Sequence, residues 1–118
     1  MNLRQAPRIP VDLQVWYTTP EHEVQRGTMY DLSPGGCAVA TIGAVQAGSR
    51  LALTILAPGQ EIPLTLESVA VRWTALGEFG VEFDGMNAAD RDRLGHVLTR
   101  ASQRLDTLGS SDTSSQIG

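Results

Sequence analysis

A single cysteine, Cys37, stands among the 118 residues, so no internal disulfide can form and no cysteine cluster can hold zinc. It lies in the apolar run Cys37-Ala38-Val39-Ala40, where a small buried thiol is the simplest reading. Aromatic residues are scarce, at 5%, and a groove that stacks single-stranded nucleic acid needs several of them. A basic excess is also missing. The formal net charge is −4 and the pI is near 5.0, the opposite of a general DNA- or RNA-binding surface. No apolar run approaches the ~20 residues of a membrane span. The first residues, with Arg4 and Arg8 around Pro7, lack the apolar segment of a signal peptide. These absences predict a cytoplasmic protein with no membrane insertion and no DNA or RNA partner.

Catalytic groupings are missing as well. No Ser/His/Asp arrangement, nucleotide-type glycine loop or acid/base carboxylate pair is present. His22 and His96 are far apart in sequence and read as surface residues rather than metal ligands. Asp90 and Asp92 read as charge favourable to a helix N-terminus. No enzyme, metal or cofactor is expected.

What is present is the composition of one soluble globular domain, 42% hydrophobic and 19% charged. Residues 1–10 lack periodicity and contain two prolines, which suggests an N-terminal arm. Val11 to Tyr17 alternates apolar and polar residues, as a half-buried strand does, and Thr19 to Glu23 forms a polar turn. A second strand is expected over Val24 to Tyr30. The segment Asp31 to Gly36, with Pro34, Gly35 and Gly36, reads as a turn into a short apolar strand over Cys37 to Ile42. Arg50 to Leu56 is a fourth strand and Ile62 to Thr74 a long fifth. The fifth changes phase near Ser68, which predicts a bulge. Phe79 to Phe83 alternates cleanly as the last strand.

Six short antiparallel strands with tight turns predict a small closed β-barrel, which removes free sheet edges. The period then changes. Asn87 is the expected N-cap of an amphipathic helix carrying Leu94, Val97, Leu98, Ala101 and Leu105 on one stripe. The barrel and helix are expected over residues 11–108, and the Ser/Thr-rich residues 109–118 read as a disordered tail.

Two short motifs carry the chemistry. Arg4-Gln5-Ala6-Pro7-Arg8 offers two fixed positive charges with forked donors, suited to phosphate or a guanine edge. Asp31-Leu32-Ser33-Pro34-Gly35-Gly36 offers a carboxylate, a hydroxyl and turn glycines. In this order, on a β-rich chain, they resemble the RxxxR and (D/N)xSxxG signature of PilZ domains. The stretches Val71-Arg72-Trp73 and Phe79-Gly80-Val81-Glu82-Phe83 resemble the family's last two barrel strands.

The resemblance implies a PilZ-type six-stranded barrel with a C-terminal helix, acting as a receptor for cyclic di-GMP and not as an enzyme. It implies that Arg4 and Arg8 grip phosphates and guanine edges. Asp31 would accept from the guanine N1–H and exocyclic amine, and Ser33, Gly35 and Gly36 would complete the site. Gly36 would let backbone approach the base. It further implies a relay in which the arm folds over the ligand and a protein effector reads the new surface. Two other functions would use the same fold: a ligand-independent PilZ-fold adaptor in motility or secretion and, disfavoured by the acidic charge and few aromatics, a small barrel that binds single-stranded nucleic acid.

Overall fold

A computed structural model describes residues 8–117, with side chains as far as residue 104. Six strands and one helix follow in order: β1 (Ile9–Thr18), β2 (Val24–Ser33), β3 (Gly36–Ala40), β4 (Arg50–Leu56), β5 (Leu64–Ala75), β6 (Glu78–Glu82) and α1 (Ala88–Ile117). The strands close into a barrel in the order β1-β2-β3-β6-β5-β4, every neighbouring pair antiparallel.

Alternation in the sequence becomes alternation between wall and core. Val15 and Tyr17 of β1, Met29 and Leu32 of β2, Val39 of β3, and Leu53 and Ile55 of β4 are all fully buried. Burying each such side chain contributes roughly 1.5–3 kcal/mol. Tyr17 meets Phe79 edge-to-face, with ring centroids 5.1 Å apart. Its hydroxyl is satisfied by Thr41 Oγ1 at 2.9 Å, so the ring can be buried without stranding a polar group. The expected bulge is present: Leu51 pairs with Val69 but Leu53 pairs with Leu66, which leaves an extra residue in β5 between Leu66 and Val69. Leu66 and Val69 can therefore both face the core.

The helix begins as the sequence suggests. Asn87 Oδ1 accepts the backbone N–H of Asp90 at 2.8 Å, satisfying one donor of the first turn. Leu94 and Val97 are buried against the foot of the barrel, where α1 packs on β1 and β5. No helix among the described residues is long and apolar enough to cross a membrane.

Most strand ends shift by one or two residues, and three boundaries differ for reasons that can be named. Strand β1 starts at Ile9 rather than Val11, because Ile9 and Pro10 already pair with Leu32 and Asp31. Strand β2 runs through Asp31 to Ser33, so the expected six-residue turn shrinks to Pro34 and Gly35, with Ser33 paired to Gly36. Pairing with β1 and β3 overrides the turn preference of Asp and Ser. The helix also continues past residue 108 to Ile117. Nothing in residues 109–117 is a proline that would break the i to i−4 ladder.

Candidate ligand-binding face

Arg8 stands one residue before β1, and Asp31 lies on the neighbouring end of β2, beside Pro10. Arg8 Nη1 donates to Asp31 Oδ1 at 2.6 Å, across 23 residues of sequence. The two motifs read from the sequence therefore meet at one point of the surface. Arg4 lies outside the described residues.

Ser33 and the two glycines have internal work. Ser33 Oγ accepts the N–H of Gly35 at 3.3 Å and donates to the carbonyl of Gly36 at 3.2 Å, closing the hairpin turn. The hydroxyl is buried. A Cβ at Gly36 would collide with the backbone carbonyl of Val81, so this glycine lets β3 and β6 come together. That packing role is a different reason for Gly36 than the approach to a base that the motif suggests. A Cβ at Gly35 would meet nothing within 4 Å, and the Gly35 carbonyl accepts the N–H of Phe83 at 2.8 Å.

Beyond the motifs, the register assembles a larger feature. Asp31 pairs with Ala38, Ala38 with Gly80, and Gly80 with Trp73, which makes one row across β2, β3, β6 and β5. The outward positions of β3 are Gly36, Ala38 and Ala40, all small. Ala38, at 2% exposed, and Gly80 are nonetheless buried, because side chains from the neighbouring strands lie over these small residues. Trp73 borders this floor, 40% exposed, with its indole lying so close over Gly80 that any side chain there would strike it. Arg72 Nε, beside it, donates to Glu82 Oε1 at 2.5 Å. On the β2 side, the Tyr30 hydroxyl donates to the Glu78 carboxylate across β3. The result is a floor in which Tyr30 and the Trp73 indole overlie small residues, with the Arg–Asp pair at its β2 border. Such a floor suits a planar group that stacks, while forked guanidinium donors at its edge suit an anion.

Nothing in the sequence marks Tyr30, Glu78 or Gly80 as part of this face, and Trp73 enters there only as a member of a barrel strand. The nearest signal is the run of small residues at every second position of β3, which reads as a plain apolar strand until its partners are known. Trp16 is 37% exposed on the far wall, where the Arg26 guanidinium sits 4.9 Å from its ring centroid. Beneath this face, burial pushes the Cys37 thiol well above the usual cysteine range, so it stays a neutral core residue. A cavity of about 290 Å³ lies elsewhere, between α1 and the loop after β4, lined by Leu13, Pro58, Val97 and Arg100. It holds none of the motif residues.

A closed six-stranded antiparallel barrel with a helix at its foot and an arginine–carboxylate pair on its outer wall defines the class: a small β-barrel domain with a C-terminal helix. The chain belongs to the PilZ domain family, whose model matches residues 2–100. No curated protein sequence matches it. Among solved structures it is similar to a Bacillus subtilis inhibitor of motility, at 25% identity and a TM-score of 0.67, over 87% of this chain and 53% of that one. It is also similar in fold to Escherichia coli YcgR in complex with c-di-GMP, at 14% identity and a TM-score of 0.78, over 94% of this chain and 51% of that one. The PilZ domain of YcgR with c-di-GMP aligns at 18% identity and a TM-score of 0.69, over 92% of this chain and 98% of that domain. The chain thus spans about half the length of the first two proteins.

Proposed function

We propose that this protein is a receptor for cyclic di-GMP rather than an enzyme. The observation that carries the reading is the Arg8–Asp31 pair at 2.6 Å, which unites the two halves of the family signature at one point of the surface. Arg8 would exchange its contact with Asp31 for ligand phosphate and stack its guanidinium plane on a purine face. Asp31, acceptor-only when ionised, would then be open to the N1–H and exocyclic amine of guanine. Arg4 would add a second phosphate contact. Ser33 and Gly36 support the site indirectly, by holding the hairpin that presents Asp31. Two E. coli structures of the same fold hold c-di-GMP, which supports this ligand class.

Binding would reposition the N-terminal segment that carries Arg4 and Arg8, and a protein effector would read the altered surface. Each charge-assisted bond contributes roughly 1.5–3 kcal/mol, part of which offsets ordering and desolvation. Several such bonds with stacking give micromolar or tighter affinity, on the order of −8 kcal/mol.

Calorimetric titration of cyclic di-GMP into the wild type and Arg8→Ala tests this, with GTP and cyclic di-AMP as controls. Selective binding, weakened roughly tenfold or more in the variant, is the expected result for one lost charged contact. A folded wild type that gives no heat at millimolar ligand would sink the receptor reading and leave a ligand-independent adaptor.

A further inference from the structure

The same face has a second carboxylate that the family signature does not include. Glu78 opens β6 and points outward, half-buried, in a row whose other members are Ala40 on β3 and Ala75 on β5. Nothing bulky flanks it in that row. One of its oxygens, Oε1, accepts the Tyr30 hydroxyl, which reaches over from β2 and so spans the intervening β3. Among the described residues the salt bridges are Arg8–Asp31, Arg50–Asp84 and Arg72–Glu82, so Glu78 has no cationic partner there. Its second oxygen has no hydrogen-bond partner among them either.

Asp31 and Glu78 share one face of the barrel. They are two strands apart laterally and one pleat apart along the strands, which places their backbones about 12 Å apart. That separation is beyond the edge of a single purine. It fits two bases of one ligand lying along the same face, over the strip where Tyr30 reaches across β3 and the Trp73 indole covers Gly80.

Resting on the cyclic di-GMP reading, we propose that Glu78 reads the Watson–Crick edge of the ligand's second guanine, as Asp31 reads the first, with Tyr30 as its positioning residue. The chemistry is one of matched donors and acceptors. An ionised carboxylate only accepts, and the guanine edge offers two donors, N1–H and the exocyclic amine. Adenine offers an acceptor at N1 beside its amine, so a carboxylate meets one lone pair with another. A site built in this way rejects the wrong base because a buried polar group is left unpaired. The Glu78 hydrogen bond, with burial, pushes the Tyr30 pKa up to about 12, so the hydroxyl remains a donor at neutral pH.

The test is titration of the wild type, Glu78→Gln and Tyr30→Phe with three ligands: cyclic di-GMP, cyclic di-AMP, and the mixed cyclic dinucleotide with one guanine and one adenine. The wild type is expected to favour cyclic di-GMP over the mixed ligand by about tenfold or more. In Glu78→Gln the carboxamide can donate to adenine N1 and accept from its amine. That variant should lose cyclic di-GMP affinity and gain for the mixed ligand, closing or inverting the preference, while Asp31 still excludes cyclic di-AMP. Tyr30→Phe should weaken cyclic di-GMP severalfold and keep the order of preference. If the wild type binds and Glu78→Gln keeps the same affinities for all three, this inference is overturned and the receptor reading stands. If the folded wild type binds none of them, the receptor reading falls first.

Discussion

Two outer walls of this barrel share one backbone geometry and differ in what their side chains do with the surface. On the far wall, Arg26 pairs with Trp16, Trp16 with Thr54 and Thr54 with Thr65. Each member has a partner: the guanidinium covers the indole, and the two threonine hydroxyls lie 3.0 Å apart in a hydrogen bond. On the near wall, the equivalent row runs Asp31, Ala38, Gly80, Trp73. Its polar and aromatic residues stand at the two ends and its middle has no side chain longer than a methyl group. The far row is filled by its own members, whereas the near row is covered by side chains that reach in from its ends and from Tyr30 beside it. The small residues of the near wall are what let Tyr30 and Trp73 lie flat across it.

The largest effect that can break this comparison comes from enlarging a small residue of the near wall. Gly36→Ala puts a methyl group into the Val81 carbonyl, and a backbone atom cannot swing aside as a flexible side chain can. Overpacking of this kind costs about 1–3 kcal/mol. Urea unfolding should show a lowered midpoint for Gly36→Ala, whereas Gly35→Ala, whose new methyl group meets open space, should stay within about 0.5 kcal/mol of wild type. Equal midpoints for the two variants would mean that Gly36 does not serve the β3–β6 contact.

A smaller effect sharpens the far wall. A double-mutant cycle of Trp16→Ala and Arg26→Ala should give a stabilising coupling of about 0.5–1 kcal/mol, as for an exposed cation–π pair. Both single variants should titrate cyclic di-GMP like wild type. A ligand affinity that falls with Trp16→Ala would show that the two walls are not separate surfaces.

Much of this architecture was legible because local patterns and tertiary needs agree. Alternation in Arg50 to Leu56, the phase change near Ser68 and the Asn87 cap each follow from one strand or one helix turn. What was not legible depended on a neighbour. Trp73 shares the apolar period of Val69 and Val71, which by alternation alone would turn it toward the core. A second bulge, between Val71 and Trp73 opposite Gly80 and Val81, turns it outward. Asp31 and Ser33 carry turn preferences, yet two flanking strands hold them in a sheet. That Arg8 and Asp31 serve one ligand was implied by the family pattern, their direct contact was not, and Glu78 has no local signature. Only the registry of β3 with β6 brings it onto the same floor.

The smallest effect separates the two arginine–aspartate pairs, of which only one belongs to the near wall. Arg8 touches Asp31 through one nitrogen, and that pair must open if ligand is to take its place. Arg50 instead grips Asp84 with both nitrogens, at 2.6 and 3.2 Å, and its Nε donates to Ser68 at 2.6 Å. This second pair ties the start of β4 to the segment between β6 and α1. The hydrogen bond from Arg50 lowers the Asp84 pKa below its ordinary 3.8. The folded state therefore binds that proton less readily than the unfolded chain does. The contribution to stability is complete above the unfolded value and is lost as pH falls through the lower, folded one. Both groups are solvent-exposed, so the effect is small and screened by salt. Urea midpoints of wild type and Asp84→Asn should differ by a constant amount above about pH 5 and converge in stronger acid. Arg50→Ala should return the Asp84 carboxyl titration, followed by NMR, toward 3.8. A gap that does not change with pH would show that Asp84 contributes through shape alone, and the distinction between a structural pair and a ligand-exchanging pair would then rest on Arg8 and Asp31.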